Sequence, residues 1–171
     1  MGCPYHAQHA LVPSLRKAIL GKFAGPVYLA SSSNGTVKMR RLRVVLADDH
    51  PSVLRMVENI LEPMFEVVGK VADGKSLLEA AGKLDPDLIV TDISMPILNG
   101  IEAVKNLKES GSRAKVVFLT VHADFEFEKG CFEAGASGYV VKPKMDTDLL
   151  FAIRAALAEH SFTTRNLTYP N

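Results

Sequence analysis

Tryptophan is absent from this chain and cysteine nearly so. The two cysteines, Cys3 and Cys131, stand far apart and match no metal-ligand spacing, so the chain reads as a reduced protein with free thiols rather than a disulfide scaffold or a zinc module. No apolar run approaches the ~20 residues that a membrane-spanning helix needs. The stretch FAGPVYLA at residues 23–30 is too short and too interrupted for a secretory signal core. Gly2-Cys3 opens like a lipidation signal, but His6 stands where N-myristoylation wants Ser or Thr. Acidic residues are missing before Asp48, while Arg16, Lys17, Lys22, Lys38, Arg40, Arg41 and Arg43 all precede it. Over the whole chain the charge is only +1, which gives no general field for nucleic acid or membranes. The basic residues from Lys38 to Arg43 are too few, and partly inside an apolar run, to make a DNA-binding surface.

What is present is ordinary globular composition. With 171 residues, 47% hydrophobic and 23% charged, the chain can hold one domain with a sizeable core plus flanking segments. Residues 1–40 lack a sustained period and read as a flexible amino-terminal extension, with Ser31 to Gly35 as a joint. Within it, residues 15–23 offer either a short basic helix with Leu15, Ile19 and Phe23 on one side, or a segment without fixed structure. Met39, just ahead of the first apolar run, also fits an over-long gene start or an expression remnant.

From Arg41 onward, short apolar runs alternate with helical periods. Pro51 suits a helix's first position, and Val53, Leu54, Val57, Ile60 and Leu61 form one apolar face behind it. Phe65 to Val71 reads as a strand, and Asp73-Gly74 turns into a helix carrying Leu77, Leu78, Ala81 and Leu84, stopped by Asp85-Pro86. A helix over residues 99–110 ends at Gly111, one over 124–134 has no clean stripe, and the last covers 145–159. Five strand-helix units in about 120 residues imply an α/β fold with a doubly wound five-stranded parallel sheet. The expected strand order is the flavodoxin-like 2-1-3-4-5, which sets the first and third strands side by side.

Five polar groups follow directly on the apolar runs: Asp48 and Asp49 after the first, Asp92 after the third, Thr120 after the fourth and Lys142 after the fifth. In a parallel sheet all emerge at the carboxyl edge, where such sheets bind ligands. Two unit charges about 4 Å apart repel by roughly 4 kcal/mol at an effective dielectric near 20. Three gathered carboxylates therefore call for cations, and Mg2+, which takes hard oxygen ligands, together with Lys142 supplies them. An aspartate in such a site can accept a phosphoryl group, and Asp92 on the central strand is the natural acceptor.

The runs VVLADDHP (44–51), DLIVTDISMPILNG (87–100), LTVH (119–122) and AGASGYVVKP (134–143) together resemble the receiver domain of bacterial two-component response regulators, nearest in wording to the NarL/FixJ branch. The resemblance covers about residues 41–160 and carries the fold of a CheY-like receiver. It implies phosphorylation of Asp92 by a histidine kinase, with Mg2+ held directly by Asp49, mostly through water by Asp48, by Asp92 itself and by the backbone carbonyl of Ser94. It also implies a switch pair, Thr120 and Tyr139, in which the hydroxyl moves to the phosphoryl group and the ring turns inward. Lys142-Pro143 matches a peptide bond often cis in the family, aiming the ammonium into the site. The implied protein is a cytoplasmic signalling domain, not a turnover enzyme, that dimerises or docks a downstream protein. No direct nucleic acid or membrane binding is expected of this chain.

Plainer readings stand beside these. Asp48 or Asp49 could cap the helix at Pro51, and Tyr139 could be a half-buried strand aromatic. His50 and His122 flank the site, but their nitrogens suit Mg2+ poorly. Asn166-Leu167-Thr168 fits a glycosylation sequon that a cytosolic protein would not use. The rival function is a phosphatase of haloacid dehalogenase type, which needs a second Asp two residues after its nucleophile, where this chain has Ser94. Residues 161–171 read as a tail too short for the helix-turn-helix domain that usually follows such receivers, so both an excised receiver and a single-domain regulator remain open.

Overall fold

The computed structural model describes residues 26–33 and 36–164. Two strands come first, β1 (Tyr28–Ser33) and β2 (Thr36–Arg41), paired antiparallel from Tyr28 opposite Arg41 to Ser33 opposite Thr36. There follow β3 (Arg43–Ala47), α1 (Pro51–Leu61), β4 (Glu66–Val71), α2 (Gly74–Leu84), β5 (Leu88–Thr91) and α3 (Gly100–Glu109). The chain continues with β6 (Lys115–Thr120), α4 (Phe125–Glu133), β7 (Gly138–Val141), a 3-10 turn (Lys142–Lys144), α5 (Met145–Leu157) and β8 (Phe162–Thr163). The main sheet runs β4-β3-β5-β6-β7-β8 with every neighbouring pair parallel. This is the expected 2-1-3-4-5 order with one strand added at the β7 edge.

The inner parallel strands β3, β5, β6 and β7 are apolar at consecutive positions because helices cover both faces. Alternate residues of a strand point to opposite sides. Val44 and Leu46 of β3 pack with Val57 and Leu61 of α1 and with Leu149 and Ile153 of α5. Val45 and Ala47 turn the other way, into a layer with Leu77 of α2, Val104 of α3 and Cys131 of α4. Leu61, Leu77, Leu149 and Ile153 are all wholly buried, and each such side chain contributes about 1.5–3 kcal/mol relative to exposure. Local signals set the helix ends. Asp73 accepts from Ser76 N at 2.8 Å and Asn99 from Glu102 N at 2.9 Å, each satisfying a first-turn donor. Asp85, in a left-handed conformation (φ 42°), ends α2. No helix among the described residues is long and apolar enough to cross a membrane.

Two segments differ from the sequence expectation. Residues 28–33 and 36–40, read above as unpatterned extension, form with Arg41 the antiparallel pair β1–β2; in the sequence Asn34-Gly35 stands between them, the pair that two-residue hairpin loops favour. Residues 162–163, read as tail, form β8 against β7, with Phe162, Thr163 and Thr164 all buried. The basic helix over 15–23, Gly2, Cys3 and the sequon at Asn166 lie outside the described residues.

The hairpin's second strand is fastened to the turn before β5. Arg40 donates to both carboxylate oxygens of Asp87 at 2.5 and 2.8 Å, and Arg43 N donates to Asp87 Oδ2 at 2.8 Å. Burial alone pushes the Asp87 carboxyl upward, but the bonds from Arg40 and Arg43 outweigh it and hold the group below its ordinary range. A depressed carboxyl stabilises the fold at pH values above its unfolded pKa near ~4, and that stabilisation is lost as pH falls through the lower folded value. Asp87→Asn is expected to cost about 2 kcal/mol at neutral pH, the scale of hydrogen bonds to a charged group. Thermal unfolding of the variant should also depend less steeply on pH below ~4 than that of the unaltered protein.

Candidate functional site at the carboxyl edge of the sheet

The strand ends converge as the parallel topology requires. Asp48 N donates to Val71 O at 3.1 Å and Asp92 N to Ala47 O at 2.8 Å, so the ladder bonds continue just past the strands and set both aspartates side by side. Lys142, at the end of β7, reaches across: its Nζ lies 2.6 Å from Asp92 Oδ2 and 2.7 Å from Asp48 Oδ2. Asp48 and Asp92 are each only 3% exposed, so this one ammonium is shared by two carboxylates withdrawn from water and offsets one of their two charges. Burial pushes the Lys142 ammonium down, yet its hydrogen bonds to Asp48 and Asp92 more than reverse that and hold it above its ordinary value, firmly charged.

The remaining carboxylate oxygens are also used. Asp92 Oδ1 accepts from Ile93 N at 2.6 Å, and Asp48 Oδ1 from His50 N at 2.9 Å, so Asp48 is spent on the loop rather than on capping α1. His50, largely exposed, sets Nδ1 2.7 Å from Asp49 Oδ1. Ligand atoms of Asp48, Asp49 and His50 lie within 4.8 Å of one another, a cluster able to hold a cation. Its carboxylate oxygens suit the hard Mg2+ ion and its imidazole does not. The donor set therefore fits Mg2+ through Asp48 and Asp49.

Thr120 and Tyr139 are both fully buried. The Thr120 hydroxyl oxygen accepts from His122 N at 3.3 Å, and Tyr139 donates its hydroxyl to His122 O at 2.7 Å. The ring that the resemblance turns inward is thus already inward here. Ser94 Oγ meets His122 Nε2 at 2.8 Å, and the His122 ring stacks on Phe127 with centroids 4.1 Å apart. His122 therefore joins β6, β7, α4 and the loop after β5 in one small network. Sequence reasoning placed it only as a flanking residue, because its partners come from segments distant in the chain. Two glycines let the loop after β5 close on the acceptor: a Cβ at Gly100 would lie 1.9 Å from Asp92 O, and one at Gly74 would lie 2.2 Å from Leu98 O.

One expectation is corrected. Among the described residues no peptide bond is cis, the Lys142-Pro143 bond included. Pro143 sits in the 3-10 turn Lys142–Lys144, and Lys142 reaches both carboxylates across a trans bond.

Comparison with known proteins agrees with this architecture. The family model of the response regulator receiver domain matches residues 44–154. The transcriptional regulatory protein DegU of Brevibacillus brevis is 36% identical over 141 residues, covering 78% of this chain and 59% of DegU. The nitrate/nitrite response regulator protein NarL of Escherichia coli K12 is 34% identical over 127 residues, covering 73% of this chain and 59% of NarL. The chain thus spans somewhat over half the length of these curated relatives. Among solved structures, the isolated receiver domain of RcsB from Salmonella enterica serovar Typhimurium, in the presence of the phosphomimetic BeF3-, superposes with a TM-score of 0.68 at 29% identity, covering 75% of this chain and 97% of that one. The alternative of a haloacid-dehalogenase-type phosphatase gains no support from these matches. On the family match, these relatives and the fold together, the chain belongs to the response regulator receiver domain family, in its NarL/FixJ branch.

Proposed function

We propose that this receiver accepts a phosphoryl group on Asp92 from the phosphohistidine of a sensor kinase, in a Mg2+-dependent reaction, and answers by dimerising or docking a downstream protein. The observation that carries the reading is the single ammonium of Lys142 bound 2.6 and 2.7 Å from two buried carboxylates at the sheet edge. An Asp92 carboxylate oxygen attacks phosphorus, a P–O bond forms as the P–N bond breaks, and the electron pair and a proton end on the histidine nitrogen. Asp49 would hold Mg2+ directly and Asp48 mostly through water, with the Ser94 carbonyl as a further ligand. Bound there, the ion supplies positive charge against the transferring oxygens. Lys142 neutralises the other side. The Thr120 hydroxyl spends a lone pair on His122 N, which leaves its proton to give to the transferred group.

The acyl phosphate carries about two negative charges. Moving a two-state equilibrium from 1:99 to 99:1 needs about 5.5 kcal/mol of differential stabilisation, and the proton from Thr120 with the ion pair from Lys142 supplies much of it. The reading makes residues 41–160, with β8 completing their sheet, the signalling unit and sets it in the cytoplasm beside its kinase. Arg40, Arg41 and Arg43 are engaged with Asp87 and with the carbonyls of Glu62 and Leu84, so no nucleic acid contact is assigned to them. Incubation with acetyl phosphate and Mg2+ is expected to label the chain once, and chelation by EDTA to reduce labelling to background. Labelling undiminished by EDTA would contradict the metal's part.

A further inference from the structure

But for the two residues of β8, β7 would be the edge of the main sheet. Phe162 lies opposite Gly138 and Thr163 opposite Tyr139, in parallel. Phe162 N donates to Ser137 O at 3.2 Å, and the Thr164 hydroxyl oxygen accepts from Val141 N at 3.3 Å, next to Lys142. Phe162 anchors the segment in the layer that holds Val140, Leu149 and Ile153. All three residues from Phe162 to Thr164 are buried.

Thr163 acts through its neighbour. Phe118, Tyr139 and Thr163 are register partners on three successive parallel strands. Their side chains therefore stand on one face of the sheet, about 4.8 Å from strand to strand. The Tyr139 ring has Phe118 on its inner flank and Thr163 on its outer one. Without β8, β7 becomes an open edge and the outer flank of the ring faces solvent. That ring fixes the segment after β6: Tyr139 donates its hydroxyl to His122 O at 2.7 Å, and His122 N donates to the Thr120 hydroxyl oxygen at 3.3 Å. A ring that swings out past β7 breaks the first bond and releases the second.

We propose that β8 is a positioning element for the phosphoryl site: Thr163, anchored by Phe162, closes the outward path of the Tyr139 ring and so keeps His122 N on the Thr120 oxygen, leaving that hydroxyl's proton for the transferred group. This rests on the reaction proposed above. A strand of two residues opens far more readily than a domain unfolds, so its docking is an equilibrium that the site can bias. Coupling between two sites is reciprocal. A phosphoryl group that takes the Thr120 proton tightens β8, and a docked β8 tightens the hold on that group by the same factor.

The test uses the full chain with saturating Mg2+ and beryllium fluoride as the phosphoryl mimic, its binding followed by fluorine NMR. Phe162→Ala removes the anchor, Thr163→Gly removes only the side chain beside Tyr139, and Thr163→Val keeps that side chain's branched bulk. Phe162→Ala and Thr163→Gly are expected to need about tenfold more beryllium fluoride for half-saturation, inside the usual range of coupling between sites. Thr163→Val should stay within about twofold of the unaltered chain. In the unaltered chain, beryllium fluoride should slow hydrogen exchange of the Phe162 amide by about the same tenfold. A strand that only adds stability would lower the unfolding temperature of the variants and move neither reading. Unchanged half-saturation in folded Thr163→Gly overturns the proposal, as does Phe162 exchange indifferent to beryllium fluoride; both measurements decide the matter even if Phe162→Ala fails to fold. An unaltered chain that neither binds beryllium fluoride nor takes label from acetyl phosphate defeats the underlying reaction instead.

Discussion

Replacing Asp92 with Asn is expected to abolish phosphoryl labelling while leaving the protein folded. The amide keeps an oxygen to accept from Ile93 N, the bond that Asp92 Oδ1 makes at 2.6 Å, so the loop after β5 stays anchored. It has no anionic oxygen with which to attack phosphorus, and neither Asp48 nor Asp49 replaces it. Asp48 is itself paired with Lys142 and gives its other oxygen to His50 N at 2.9 Å, while Asp49 is paired with His50. The stability change should be small, because two effects oppose each other. Lys142 loses one of its two charged partners, but Asp48 loses a like-charged neighbour that repels by roughly 4 kcal/mol at about 4 Å and an effective dielectric near 20. Intact-mass measurement after acetyl phosphate treatment, with thermal unfolding of the same sample, checks both halves. Retained labelling in the folded variant would remove Asp92 from its role.

Lys142→Ala is expected to act mainly on stability, by about 3 kcal/mol in metal-free buffer. Removing one partner of a buried ion pair leaves an uncompensated charge and typically costs about 3–5 kcal/mol. Here two carboxylates, each 3% exposed, share the one ammonium, and its loss leaves them beside each other. Mg2+ should restore part of the loss, since Asp48 stands in both the ion pair and the cation cluster. Urea unfolding with and without Mg2+ measures this; a variant as stable as the unaltered chain in EDTA contradicts the account. The pH sign follows from the raised lysine pKa. The stabilisation is complete below the ordinary value near ~10.4 and is lost only as pH rises through the higher folded value, so neutral and mildly alkaline buffers do not disturb it. Labelling of Lys142→Ala should persist, while its change in association on beryllium fluoride, read by size-exclusion chromatography, should weaken.

The core of this architecture was legible because its signals are local and repeated. Each buried parallel strand is a continuous apolar run, and each run ends on a polar residue, which is why Asp48, Asp92, Thr120 and Lys142 could be placed at one edge before any coordinates. Helix limits were legible where a cap or breaker marks them, as at Asp73, Asp85 and Asn99. The hairpin was hidden because Tyr28 to Arg41 shows no clean alternation, although Asn34-Gly35 was the available cue. β8 was hidden by its length: Phe162 and Thr163 form a strand only because β7 offers an edge. The trans bond before Pro143 and the hub at His122 depend on tertiary contacts that no local pattern encodes. Ile97 is the opposite case, where the local residue type argues against the conformation the loop imposes.

The most direct test of the central claim is to locate the label on the unaltered chain. After treatment with acetyl phosphate and Mg2+, peptide mass spectrometry should find one phosphoryl group, on Asp92, and none when Mg2+ is chelated. A label on Asp48, Asp49 or His50 in place of Asp92, or no label in the presence of Mg2+, would contradict the assignment of this site.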